Sequence, residues 1–169
     1  MWDKNLLQKE MAAAAALFDT FGAEILADSR LGAVLAAYRG LIEESDELMR
    51  RRGVPAVCTK CAAETGSCCF EEIAYSGYDS VLLLINLLFG RPLARAPQVA
   101  GACHFLGERG CTLVARYSFC LSYLCPILRL MLGESGRSGI LRKIGEQLAM
   151  GWEAEQALRK WLSARAASH

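Results

Sequence analysis

Thiolates are the strongest soft ligands a protein offers to zinc, iron or copper(I), and this chain gathers all its thiols in one stretch. It has eight cysteines in 169 residues. Cys58, Cys61, Cys68 and Cys69 form a first group; Cys103, Cys111, Cys120 and Cys125 form a second. The first 57 residues and the last 44 contain none. Cysteines that serve only as small buried hydrophobes have no reason to cluster in sequence, so confinement to one segment points to a shared task.

A tetrahedral zinc site takes four ligands, and so does a cubane iron–sulfur cluster. Eight thiols therefore suffice for two sites, or for one site with four thiols left for packing or redox work. Cys58-Thr-Lys-Cys61 has the C-x2-C spacing that grips a metal through a tight turn, with backbone amides aimed at the sulfurs. Cys68 and Cys69 are adjacent, and successive side chains of an extended strand point to opposite sides. They face two sites, bridge them, or supply one ligand between them. The second group does not repeat the C-x2-C knuckle of four-cysteine zinc sites, and this irregular spacing leans toward an iron–sulfur cluster. The first-ranked ligands are Cys58, Cys61, Cys69, Cys111 and Cys120, followed by Cys68, Cys103 and Cys125. A thiol-redox role is the alternative, because C-x2-C lowers a thiol pKa. A thioredoxin-like motif, however, sits between a strand and a helix, and this one follows a helix and a proline-containing stretch.

Other chemistry-bearing residues are sparse. His104 adjoins Cys103 and reads as a surface or supporting residue, since neighbours in sequence share one metal awkwardly. Glu71 and Glu72 follow Cys69 and read as solvent-facing. No phosphate loop, dinucleotide fingerprint or hydrolase elbow is legible, so no catalytic constellation emerges and enzymatic activity is left open. Trp2, Trp152 and Trp161 read as helix-packing residues.

The cysteine order resembles a known family. Cys58-x2-Cys61 followed by Cys68-Cys69 is similar to the opening motif of the CxxCxxCC cysteine-cluster proteins, the YkgJ family. Cys103-x-Phe105-Leu106, Gly110-Cys111-Thr112-Leu113 and Arg116-x3-Cys120 with Cys125 resemble its later motifs. The likeness spans roughly residues 58–125, with a longer first spacing, Tyr117 where proline is usual and Leu121 where arginine is usual. The resemblance implies a zinc- or iron-chelating domain, and a related module in flagellin lysine methylases implies an iron–sulfur cluster. A polar-lined cavity beside the cysteines would favour methylase-like chemistry; a closed tetrahedral site would favour structural zinc.

The flanking elements must position these thiols. Leu7, Met11, Ala14, Phe18 and Phe21 recur at helical spacing up to Gly22, which interrupts the pattern. Leu31, Val34, Leu35, Tyr38, Leu41, Ile42, Leu48 and Met49 form one apolar stripe. Asp28 or Ser29 caps that helix, Arg50-Arg51-Arg52 suits its C-terminal dipole, and Gly53 with Pro55 ends it. Asp46–Arg50 and Glu47–Arg51 are expected i,i+4 pairs. From Pro55 to about Phe70 a loop is expected. Ser76 or Asp79 caps a core helix over Val81–Phe89, within which Asn86 needs hydrogen-bond partners. Residues 91–102 read as a loop, Cys103–Leu106 and Cys111–Val114 as a hairpin, and 116–132 as a helix divided by Pro126. Leu141, Ile144, Leu148, Trp152 and Trp161 mark the apolar face of a C-terminal helix over 137–167.

Together these predict one mainly α domain: a helical bundle with an inserted cysteine-rich metal-binding loop and a small β-hairpin. It comprises N-terminal helices (1–54), a cysteine region (55–128) and the C-terminal helix. With 53% hydrophobic residues the chain is long and apolar enough for its own core, so disulfide staples are not needed. The net charge of +1 gives no general pull toward nucleic acid or anionic membrane. No secretory signal or membrane span is legible, so a soluble cytoplasmic protein is expected, where grouped cysteines serve metals or redox chemistry rather than disulfides. Exposed helix faces leave room for a protein partner or a homodimer.

Overall fold

In a computed structural model, residues 4–65, 68–108 and 110–166 are described; Trp2 and His169 lie outside them. The architecture is the mainly α one expected, with a minimal hairpin. The elements are α1 (Lys4–Ala27), α2 (Ser29–Arg51), α3 (Val54–Thr65), α4 (Glu72–Gly77), α5 (Ser80–Leu88), β1 (Leu106–Gly107), β2 (Gly110–Cys111), α6 (Ser118–Ser122) and α7 (Pro126–Ala166). None of the described helices is long and apolar enough to cross a membrane.

Side-chain caps start the helices where the sequence places them. Asp28 accepts from the amides of Arg30 and Leu31 at 3.0 and 3.1 Å, opening α2. Asp79 accepts from Val81 and Leu82 at 3.1 and 2.9 Å, opening α5. Each such cap is worth about 1 kcal/mol. Glu10 of α1 adds a second acceptor at the start of α5, taking the Ser80 amide at 2.7 Å. This fixes α1 against α5.

α2 lies antiparallel to α7. Glu44 pairs with Lys143 near one end, and the Trp161 indole donates to Asp28 at 3.0 Å near the other. Between them Tyr38 rests on Gly151, where an added Cβ would lie 2.9 Å from the ring. α1 covers α5, which is buried along nearly its whole length. One apolar cluster joins these four helices with Phe105, Leu113 and Ala115. A smaller one seats Val54 of α3 on Leu121, Leu124 and Leu128, with Val57 and Cys125 at its edge.

Several expectations are corrected. α1 runs through Gly22 without a break to Ala27. The segment after Pro55 is helix rather than loop as far as Thr65; proline is favoured in a first helical turn, where its missing N–H has no partner to lose. Asp46 pairs with Arg116 instead of Arg50, while Glu47 takes Arg50 and Arg51. Gly133, at φ 63° and ψ −176°, divides α7, so its long C-terminal part starts ahead of the expected 137. The buried face of that part is Ile140, Ile144, Gln147, Gly151, Ala154 and Leu158, leaving Leu141 at the surface and Trp152 64% exposed. At Gly151 the face has no side chain because Tyr38 of α2 comes close.

Candidate metal centre

The two cysteine groups meet through the backbone. Phe70 and Ala102 form an antiparallel bridge, and the Cys103 amide donates to the Cys69 carbonyl at 2.7 Å. The chain then turns into the hairpin, where Leu106 is opposite Cys111. The Thr112 amide extends the pairing by donating to the Phe105 carbonyl at 2.9 Å. Cys103 and Cys111 are therefore not directly opposed, as the sequence predicts, but lie on the two arms of one small turn.

Asn86 fixes the next stretch. Its carboxamide oxygen accepts from the Val114 and Ala115 amides at 2.8 and 3.0 Å. Its nitrogen donates to the carbonyls of Leu82 and Ala115 at 3.0 and 2.9 Å. The expected satisfied core amide is thus also a clamp that holds the chain after Cys111 against α5. Arg116, just beyond, is ion-paired with Asp46 of α2. Tyr78 completes the surround: its hydroxyl lies 3.9 Å from the Cys120 sulfur and accepts from the Tyr117 amide at 3.3 Å. Its ring stands edge-on to Phe105.

The electrostatics place four thiols within reach of one another. Burial pushes the Cys103 thiol up to about 11, and the neighbouring Cys111 and Cys69 push it the same way. Burial raises Cys120 to about 12, with further upward pushes from Cys111, Cys103 and Cys69. Cys111 is exposed by area, yet protein crowding around its sulfur raises it; Arg116 opposes this, while Cys69 and Asp46 add to it. Backbone amides also favour the thiolate: that of Phe105 at Cys103 and that of Leu113 at Cys111. In both cases the amide is two residues past the sulfur, the arrangement that the sequence reading placed at Cys58 and Cys61.

Cys69, Cys103, Cys111 and Cys120 therefore constitute one neighbourhood. No three His, Cys, Asp or Glu side chains among the described residues already stand at metal-holding separation. Neutral thiols do not attract one another, and desolvation disfavours their ionised forms. The remaining cysteines are placed differently. Cys58 is exposed on α3, one helical turn before Cys61, whose side chain lies outside those described. Cys68 is exposed, and Cys125 sits in the break between α6 and α7. The tight-turn reading of Cys58-x2-Cys61 is corrected accordingly: both lie on a helix.

His104 is buried, against the surface alternative, and its Nε2 meets the Ala94 carbonyl at 2.7 Å. It pins the 91–102 loop to the hairpin. Glu71 is half-buried and accepts from the Tyr75 hydroxyl at 2.7 Å. Burial, then the Glu71 hydrogen bond and charge, raise Tyr75 to about 12; Cys103 adds to the shift. Tyr75, Tyr78 and Asp46 were not legible as parts of the site, for their contacts are long-range and no local pattern marks them. Arg116 was legible through the family-like Arg116-x3-Cys120 spacing.

Comparison with protein-family models, curated proteins and solved structures yields no match to this chain.

Proposed function

We propose that Cys69, Cys103, Cys111 and Cys120 hold a metal centre, with an iron–sulfur cluster as the first reading. The observation that carries it is the convergence of the two cysteine groups: the Cys103 amide donates to the Cys69 carbonyl, and Cys69 and Cys111 both bear on the Cys103 and Cys120 thiols. Four thiolates are the ligand set of a cubane cluster. The amides beside Cys103 and Cys111, and the Tyr78 hydroxyl at Cys120, favour the thiolate state that ligation requires. The resemblance to the YkgJ family, which covers all eight cysteines, supports a metal centre without singling out these four.

Zinc in the same ligand set is the second reading, favoured by the two amide-to-sulfur contacts in a compact hairpin. A closed structural site would bury all four sulfurs. Exposure of Cys111 favours a centre with one open side, and with it the cluster or a chemically active metal.

Purification without oxygen, followed by iron, acid-labile sulfide and zinc analysis and a visible spectrum, tests this. Brown protein with iron and sulfide supports the cluster; colourless protein with stoichiometric zinc supports the second reading. Serine at Cys69, Cys103, Cys111 or Cys120 is expected to abolish loading, while Cys125→Ser retains it. Neither metal, with eight titratable thiols, overturns the proposal and leaves a thiol-redox protein.

A further inference from the structure

Exposed large hydrophobic side chains are unevenly spread over this molecule. Ten are exposed among the described residues, and five of them, Phe119, Tyr123, Ile127, Leu130 and Met131, fall within 13 residues. Single apolar residues scattered over a surface are ordinary, whereas a contiguous patch marks a contact.

The local structure puts the five on one side. Leu121, Leu124 and Leu128 turn inward, into the smaller apolar cluster with Val54 of α3. In α6 and just after it, the rings of Phe119 and Tyr123 stack with centroids 5.2 Å apart and planes 18° from parallel. In the first turns of α7, Ile127, Leu130 and Met131 are spaced i, i+3 and i+4 and so share one helical face. The aromatic pair and the aliphatic trio back onto the same buried leucines, so they are neighbouring parts of one surface. A surface helix ordinarily carries charge on its outer side. Here no charged residue occurs from Tyr117 to Leu128.

Area and charge select the occupant. At roughly 200 Å² for a large side chain, the exposed fractions of the five amount to about 500 Å² of apolar surface. Two such faces pressed together bury about 1,000 Å², the size at which specific protein–protein contacts begin. The Arg129 side chain sits at the edge, its Nε donating to the Leu124 carbonyl at 2.6 Å, and Glu134 is exposed just past Met131. An anionic membrane calls for a cationic rim, and a strongly charged partner for a rim of the opposite sign. A mixed rim on a chain of net charge +1 serves neither. It suits an identical face, because a two-fold contact sets a surface against itself and no block of like charge is then opposed.

We propose that the face formed by Phe119, Tyr123, Ile127, Leu130 and Met131 is a self-association surface, on which a second copy of this chain docks about a two-fold axis. The contact is at the small end of the range for specific interfaces, so the dimer is weak and concentration-dependent. It does not rest on the metal-centre reading.

The test is sedimentation velocity of the full-length protein over a wide concentration range, with reductant present so that exposed cysteines do not cross-link, and repeated with a chelator. A reversible monomer–dimer equilibrium is expected, the same in both conditions. Leu130→Asp is expected to weaken it by at least about tenfold, since a charge then enters the middle of the contact. Leu130 is 87% exposed in the single chain, so this variant keeps its fold, which circular dichroism checks. Trp152→Asp, at an exposed position on the long part of α7, is expected to leave the equilibrium unchanged. A monomer at every concentration, a dimer indifferent to Leu130→Asp, one weakened equally by Trp152→Asp, or one abolished by the chelator overturns the proposal. So does a monomer that co-sediments with phosphatidylglycerol vesicles in a Leu130-dependent way, which assigns the face to a membrane surface.

Discussion

The amide of Cys103 donates to the carbonyl of Cys69 at 2.7 Å, so the two cysteine groups are joined by backbone, independently of any metal. Removing the proposed metal is therefore not expected to unfold the chain. The α1, α2, α5 and α7 helices share an apolar core that needs no thiol ligation, and the Cys69–Cys103 link persists. Chelation should leave far-ultraviolet circular dichroism nearly unchanged while amide hydrogen exchange accelerates across 111–120. Loss of the helical signal on chelation would mean that the metal is integral to the bundle and that this division is wrong.

Thiol acidity sets the pH dependence. Burial raises the folded-state thiols from the ordinary value near 9.0 to about 11 for Cys103 and about 12 for Cys120. The metal-free fold thus binds protons that the unfolded chain has released between pH 9 and those values. Stability is intact below that window and falls as pH rises through it, by up to about 1.4 kcal/mol per pH unit for each thiol concerned. Metal binding has the opposite slope: it displaces thiol protons, so affinity falls as pH is lowered. Urea titrations between neutral pH and pH 11, and calorimetry in buffers of different ionisation enthalpy, read the two effects. A fold whose stability is flat above pH 9 would contradict the burial of these thiols.

Asn86 satisfies two amides of the segment that follows Cys111. Asn86→Leu keeps the volume but leaves those two donors and the Ala115 carbonyl without partners in a dry site. Each orphaned group costs about 1–3 kcal/mol, so a loss of at least about 3 kcal/mol is expected in denaturant titrations. Metal loading should drop in parallel, even though Asn86 touches no sulfur. A variant within about 0.5 kcal/mol of the parent, the range of ordinary surface changes, would show that the clamp is not needed.

Gly77 and Tyr117 form the tightest approach near Cys120. A Cβ on Gly77 would lie 2.2 to 2.6 Å from the Tyr117 ring. Gly77→Ala must push that ring, and with it the start of α6, outward. Overpacking of this kind costs about 1–3 kcal/mol. The double variant Gly77→Ala, Tyr117→Ala is expected to recover part of the loss, and a double-mutant cycle measures how much. Purely additive costs would place the damage in the α4 backbone rather than at the ring.

Local chemistry made the bundle legible. Asp28 and Asp79 read correctly as caps because a cap depends on residues two and three positions away. Asn86 read correctly as a satisfied amide because its neighbours are apolar on every side. Pro55 misled, since proline both ends helices and begins them, and the helix it begins carries Cys58 and Cys61. The C-terminal face was placed on Leu141, Ile144, Leu148, Trp152 and Trp161; Ile144 is buried, but Trp152 is exposed, and close approach of Tyr38 puts Gly151 in the buried face instead. The grouping of thiols was legible only in part: Cys69, Cys111 and Cys120 stood among the first-ranked ligands, but so did Cys58 and Cys61, and Cys103 did not. The grouping follows from Asn86, Tyr78 and the Cys69–Cys103 bond, three contacts that a spacing pattern along the chain does not encode.

The placement of Asn86 also imposes an order of assembly. The stretch after Cys111 is seated on the side chain of a helix that is itself buried by α1, so α5 must dock before that stretch has anything to grip. Until that docking, the segment carrying Cys111 and Cys120 lacks the seat that brings it toward Cys69 and Cys103. On the proposed metal-centre reading, loading would follow folding, so that a chain that has failed to fold would not compete for scarce metal.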